Sequence, residues 1–226
     1  MCLLGVLVVF GAGCLGGSSS GKKLGDDHDF GDNDPDVVVA MGDSITAGGF
    51  SGGAPWPARL AGMIGKNVVN QGIPGVQSTV GAARVNGVLG GRKPGFVIIC
   101  YGSNDAIRGT PAGITEANLR AMVAATKANQ SIPLLSTIPP MIGSRTIYNS
   151  RIDTVNAVIR TIASGEEVTL VDVHRAVRQS PATYLVDGLH LSDRGEELVA
   201  LEFLDAFKSS VSSRADISRR ARGPRS

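Results

Sequence analysis

The run Phe96-Val97-Ile98-Ile99-Cys100-Tyr101 is the feature that most constrains the fold. A strand with one wet face alternates apolar and polar residues, and this run does not alternate. Such a strand is buried on both faces, and strands of that kind occupy the middle of parallel sheets covered by helices. Val37–Met41 reads the same way, and Asn67–Asn70 is a short further strand. Ile132–Ile138 is another, stopped by Pro139-Pro140, and Val168–Val173 is the last.

Helical stripes separate these runs. Trp56, Leu60 and Ile64 recur on one face, with Pro57 tolerated in a first turn. Leu119, Met122 and Val123 share a face within Thr115–Asn129, and Ile152, Val155, Ile159 and Ile162 stripe a long helix. A terminal helix is expected from near Asp193, with Glu196 as its capping-box partner and Val199, Phe203 and Phe207 turned inward. Strands alternating with helices through short connections imply a three-layer α/β sandwich around a parallel sheet.

The 226 residues suit one such domain plus tails. The net charge of +2 argues neither for nor against nucleic acid, but an aromatic content of 4% offers no stacking platform for single-stranded bases, and no nucleic-acid partner is expected. Residues 1–14 form an apolar leader. Leu3–Phe10 is too short to span a bilayer and reads as an export signal. Gly11-Ala12-Gly13 before Cys14 resembles a lipobox, which makes Cys14 the candidate acylated residue. No Lys or Arg precedes the run, and Gly11 stands where a lipobox usually has Leu. The expected address is exported, as a periplasmic or cell-envelope lipoprotein held to the membrane by a lipid anchor.

Residues 15–35, rich in Gly, Ser and Asp, read as a flexible tether that includes His28, and the Arg-rich residues 209–226 as a disordered tail. Two nucleotide-site decoys lie in this region: Gly11–Gly16 fits G-x-G-x-x-G, and Gly16–Lys23 approaches a P-loop. Neither opens a helix, and Lys23 stands where a P-loop needs Ser or Thr. The Asp-rich stretch lacks the glycine that an EF-hand requires, since Val37 is sixth from Asp32. Cys100 is the one cysteine of the body, so no internal disulfide forms there, and it reads as a small buried residue.

The chemistry sits in four blocks: Gly42-Asp43-Ser44, Asn70-Gln71-Gly72, Gly102-Ser103-Asn104-Asp105 and Asp187-Gly188-Leu189-His190. The first three follow strands, and in a parallel sheet all strand C-termini share one edge, so distant residues meet there. A serine hydroxyl needs a base to become a nucleophile. His190 can take the Ser44 proton on one ring nitrogen while Asp187 fixes the other. The oxyanion of a tetrahedral intermediate needs preorganised donors. The Ser44 N–H, the Gly72 N–H and the Asn104 side-chain amide are the candidates. Asp43 organises the turn and Asp105 is structural. Phe50 and Trp56 could line an acyl site or pack in the core. The α/β-hydrolase elbow G-x-S-x-G is not met, because Thr46 stands where its second glycine belongs.

The four blocks in this order resemble the SGNH, or GDSL, hydrolases, in the manner of bacterial lipase/acylhydrolase-like esterases. The similarity covers residues 36–208, the expected catalytic domain. It implies a flavodoxin-like parallel sheet and hydrolysis of esters and thioesters without metal or cofactor. It also implies a Ser44-His190-Asp187 triad working through an acyl-enzyme, with lipase, lysophospholipase or short-chain acylesterase specificity. A carbohydrate O-acetyl esterase and a non-catalytic ligand-binding module on the same scaffold are the alternatives. His174, in Asp172-Val173-His174, is the competing base, and the D-x-x-H spacing favours His190.

Overall fold

The computed structural model describes residues 23–209. The leader, Cys14, the first part of the tether, and the tail beyond Ser209 lie outside the described residues. Five strands form one sheet: β1 Asp34–Gly42, β2 Asn67–Gly72, β3 Pro94–Cys100, β4 Ile132–Ser136 and β5 Thr169–Val171. All are parallel, in the order β2-β1-β3-β4-β5. This is the flavodoxin-like order, whose switch point falls between β1 and β3.

The helices are α1 Ser44–Ala47, α2 Trp56–Ile64, α3 Ser78–Arg92, α4 Ser103–Arg108, α5 Ala112–Ala128, α6 Asn149–Gly165, α7 Val173–Val177, α8 Pro181–Tyr184 and α9 Asp193–Lys208, with a 3₁₀ turn at Gly143–Tyr148. Helices α3, α5 and α6 pack side by side, while α2 pairs with α9. Right-handed crossovers place these two groups on opposite faces of the sheet. The middle of the sheet is dry. Val38, Val39, Ala40 and Met41 of β1 and Val97, Ile98 and Ile99 of β3 are fully buried, as their unbroken apolar runs require.

The sequence misplaces some boundaries. The last strand stops at Val171 because Asp172 caps α7, accepting a hydrogen bond from the Arg175 N–H. Helix α3 has no counterpart among the apolar stripes of the sequence. Its buried face is Ser78, Gly81, Val85 and Leu89, and its glycines blur the apolar stripe. Gly81 has a packing reason, since a Cβ there would lie 2.7 Å from the Tyr101 ring and 2.8 Å from Met122 Sδ.

Two expectations need correction. Glu196 is not a capping-box residue. Ser192 caps α9 by accepting from the Gly195 N–H, whereas Glu196 accepts from the Trp56 N–H at 2.8 Å and ties α9 to the start of α2. The described part of the 15–35 segment is not a free tether either. Leu24 is buried and its N–H donates to Phe207 O. Phe30 packs on Phe96 at 5.3 Å, and the His28 ring meets Gln130 O at 3.0 Å. Leu24 and Phe30 cover the end of the core opposite the C-terminal edge of the sheet, an apolar role hidden among Gly and Asp.

Candidate active site

Ser44 leaves β1 through a turn that only glycine permits at position 42. A Cβ on Gly42 would lie 2.0 Å from Thr46 Oγ1 and 2.8 Å from the Cys100 carbonyl oxygen. Asp43 caps the short helix α1, its Oδ1 accepting from the Ile45 N–H at 3.0 Å. Ser44 is therefore the first residue of α1, and N–H groups of a first turn have no acceptor within the helix.

His190 reaches Ser44 from the loop between α8 and α9. Leu185 and Leu191, both buried, bridge the base of that loop, and the Val186 N–H donates to His190 O. Gly188 has φ +85°, and a Cβ there would lie 2.6 Å from Ile142 O, so glycine is required for two reasons. His190 Nε2 lies 3.0 Å from Ser44 Oγ. Nδ1 lies 2.8 Å from Asp187 Oδ2, while Oδ1 accepts from the Leu189 and His190 N–H groups at 3.0 and 2.8 Å. Partial burial pushes the Asp187 carboxyl upward, but the hydrogen bonds from the His190 backbone and ring and from Leu189 outweigh it and hold the group at about 2. An ionised Asp187 only accepts, so Nδ1 carries the proton and Nε2 is free to accept from the Ser44 hydroxyl.

Asn104 stands on α4 at the end of β3, beside the same edge. Its Nδ2 donates to Asp43 Oδ2 at 3.3 Å. Burial is the largest influence on Asp43 and raises its carboxyl to about 7, against the Ile45 N–H, with the charge of Asp105 adding to the rise and Asn104 opposing it. Asp105 is buried and accepts from the Ser78 N–H, the Ser78 hydroxyl and the Thr115 hydroxyl, which fastens α4 to α3 and α5. Its role is structural.

Gly72 lies beside α1. A Cβ there would lie 2.2 Å from the Ala47 backbone nitrogen, so the glycine allows strand and helix to touch. Its N–H donates to Asn70 Oδ1 at 2.9 Å, and Asn70 Nδ2 donates to Thr46 O and Ala47 O. Asn70, one residue of the Asn70-Gln71-Gly72 block, thus staples β2 to α1.

His174 is drawn elsewhere. Its N–H donates to Thr137 Oγ1 and its Nε2 faces Asp153 at 3.7 Å, while Asp172 is paired with Arg160. Burial lowers the His174 pKa despite nearby Asp153. Burial also pushes the Cys100 thiol up to about 12, so it is no nucleophile at neutral pH. Trp56 is in the core, stacked on Phe203 at 4.6 Å. Phe50 is not: its ring lies on the His190 imidazole, centroids 3.6 Å apart and planes within 6°.

With this geometry in place, residues 40–198 match the sequence model of the GDSL-like lipase/acylhydrolase family. The chain belongs to that family. It is 32% identical over 171 residues to the thioesterase 1/protease 1/lysophospholipase L1 of Escherichia coli K12, covering 73% of this chain and 80% of that protein. Among solved structures, a putative lipolytic protein of the G-D-S-L family from Desulfitobacterium hafniense superposes with a TM-score of 0.68 at 26% identity, covering 75% of this chain and 98% of that one. A catalytic mutant of an acetylxylan esterase from Geobacillus stearothermophilus gives 0.68 at 25% identity, with 79% and 97% covered. As a GDSL-family member this protein is a carboxylic ester hydrolase, and acyl esters are its substrates.

Proposed function

We propose that the protein is a serine esterase that works through an acyl-Ser44 intermediate, with His190 as general base and Asp187 as its orienting carboxylate. The single observation that carries this is the unbroken chain Asp187–His190–Ser44, with contacts of 2.8 and 3.0 Å. As Ser44 Oγ attacks the ester carbonyl carbon, its proton moves to Nε2. The carbonyl π electrons move to oxygen, and the Ser44 N–H and the Asn104 amide stabilise that oxyanion. Collapse breaks the bond to the alcohol oxygen, which leaves with the imidazolium proton. Water, deprotonated by His190, then attacks the acyl-enzyme, and the carboxylic acid departs as Ser44 regains its proton. The Gly72 N–H joins the oxyanion donors only by leaving Asn70 Oδ1.

Acyl esters of the lysophospholipid or short-chain type are the favoured substrates, supported by the similarity to the Escherichia coli enzyme. A carbohydrate O-acetyl esterase is the second reading, favoured by the superposition on the acetylxylan esterase. An exported, Cys14-anchored protein of the cell envelope would meet either substrate. A panel of p-nitrophenyl esters from acetate to palmitate, run beside lysophosphatidylcholine and acetylated xylan, tests this. Turnover of lysophosphatidylcholine and of the longer p-nitrophenyl esters, lost in Ser44→Ala, supports the lipid reading, and selective release of acetate from xylan the carbohydrate one. Turnover unchanged in Ser44→Ala contradicts both.

A further inference from the structure

Phe50 is held over His190 by an unusual segment. Residues 48–53 read Gly-Gly-Phe-Ser-Gly-Gly, with φ of +70°, +92° and +76° at Gly48, Gly49 and Gly52. Ordering so many glycines costs more backbone entropy than ordering other residues. The loop nevertheless closes on itself: a Cβ on Gly48 would lie 2.3 Å from Pro55 Cβ. At its tip Phe50 remains 45% exposed, while the His190 side chain beneath it is only 13% exposed. Phe50 therefore covers the imidazole more than it covers itself, unlike Trp56, which is simply core.

The imidazole has one freedom that its two hydrogen bonds leave open. Contacts at Nδ1 and Nε2 fix the ring within its plane, but not its roll about the line joining the two nitrogens. A flat ring lying 3.6 Å away and within 6° of parallel blocks that roll. It also keeps water off one face of the His190 ring, where water would weaken the hydrogen bond to Asp187.

We propose that Phe50 is a positioning residue, whose phenyl face holds the His190 ring flat between Asp187 and Ser44 and shields it from solvent. This rests on the reading of His190 as the base. When His190 takes the Ser44 proton, it becomes a cation over an aromatic face, an arrangement that attracts. The contact is thus stronger in the charged transition state than in the resting enzyme, and such an interaction raises kcat without tightening substrate binding.

The test uses p-nitrophenyl acetate, whose acyl group is too short to need an apolar wall. Phe50→Ala, Phe50→Leu and Phe50→Tyr are compared with the wild type in the full chain. Phe50→Ala is expected to lower kcat about tenfold with KM within about twofold. Phe50→Leu, which keeps bulk but not the flat face, should be as slow, and Phe50→Tyr should recover kcat to within about threefold. An unchanged kcat in Phe50→Ala, a rise in KM alone, or full recovery by Phe50→Leu would overturn the proposal, because each points to an apolar wall or to no role. If the wild type hydrolyses no ester in the panel, the esterase reading itself fails and takes this role with it. An active wild type with an indifferent Phe50→Ala sinks the positioning role alone.

Discussion

The carboxylate of Asp43 accepts a hydrogen bond from the side-chain amide of Asn104, 61 positions along the chain. The contact joins the end of β1 to the end of β3 across the switch point of the sheet. It orients the Asn104 amide, the side-chain donor proposed for the oxyanion, and it depends on a carboxyl whose ionisation falls near neutrality.

Asp43→Asn should separate two consequences of that contact. An Asn at 43 can still accept from the Ile45 N–H, but its own amide N–H₂ then confronts that of Asn104. Loss of Asn104 alignment is expected to lower kcat by about ten- to a hundredfold. Stability should respond to pH in the other direction. The folded pKa of Asp43 is raised from 3.8 to about 7, so its protonated form contributes fully below about pH 4 and that contribution is lost as pH rises through about 7. An amide does not ionise. The fall in Tm between pH 5 and pH 8 should shrink by several degrees, corresponding to on the order of 1–2 kcal/mol. Thermal unfolding of wild type and variant at both pH values measures it.

The two histidine candidates make a sharp comparison. His190→Ala removes the imidazole that faces Ser44 and should lower kcat/KM at least about a thousandfold. His174→Ala, whose ring faces Asp153 rather than the serine, should retain activity to within about threefold. Steady-state hydrolysis of p-nitrophenyl acetate by both variants decides between them, and the reverse ranking would move the base to His174.

Gly188→Ala tests the loop that carries Asp187 and His190. The new methyl would press on Ile142 O at a φ of +85°. The substitution should cost about 1–2 kcal/mol of stability. The shifted turn should lower kcat by more than about tenfold, since small misplacements of a catalytic group are costly. A variant with reduced Tm and unaltered kcat would show that the turn does not set the His190 position.

The order of strands and helices was largely legible because the buried strands carry unbroken apolar runs and the long helices carry clear stripes. The four blocks were legible because the fold gathers strand ends. What escaped reading has physical reasons. Helix α3 hides behind Gly81 and other glycines that close packing against Tyr101 and Met122 demands. Glu196 lies three residues after Asp193, but the cap is Ser192, so Gly195 takes the third helical position and the Glu196 side chain accepts from the distant Trp56 N–H instead. The close approach of the Ala47 backbone that requires glycine at 72 joins two elements that the sequence pattern does not show to touch. The stacking of Phe50 on His190 joins two residues far apart in sequence, through a loop with no periodicity to read.

The most direct measurement is the site of attachment of a serine-reactive phosphonate, read by intact mass and peptide mapping. The account predicts one adduct, on the peptide carrying Ser44, formed at least about a hundredfold more slowly in His190→Ala. An adduct on another residue, or equal labelling with and without the His190 imidazole, would contradict it.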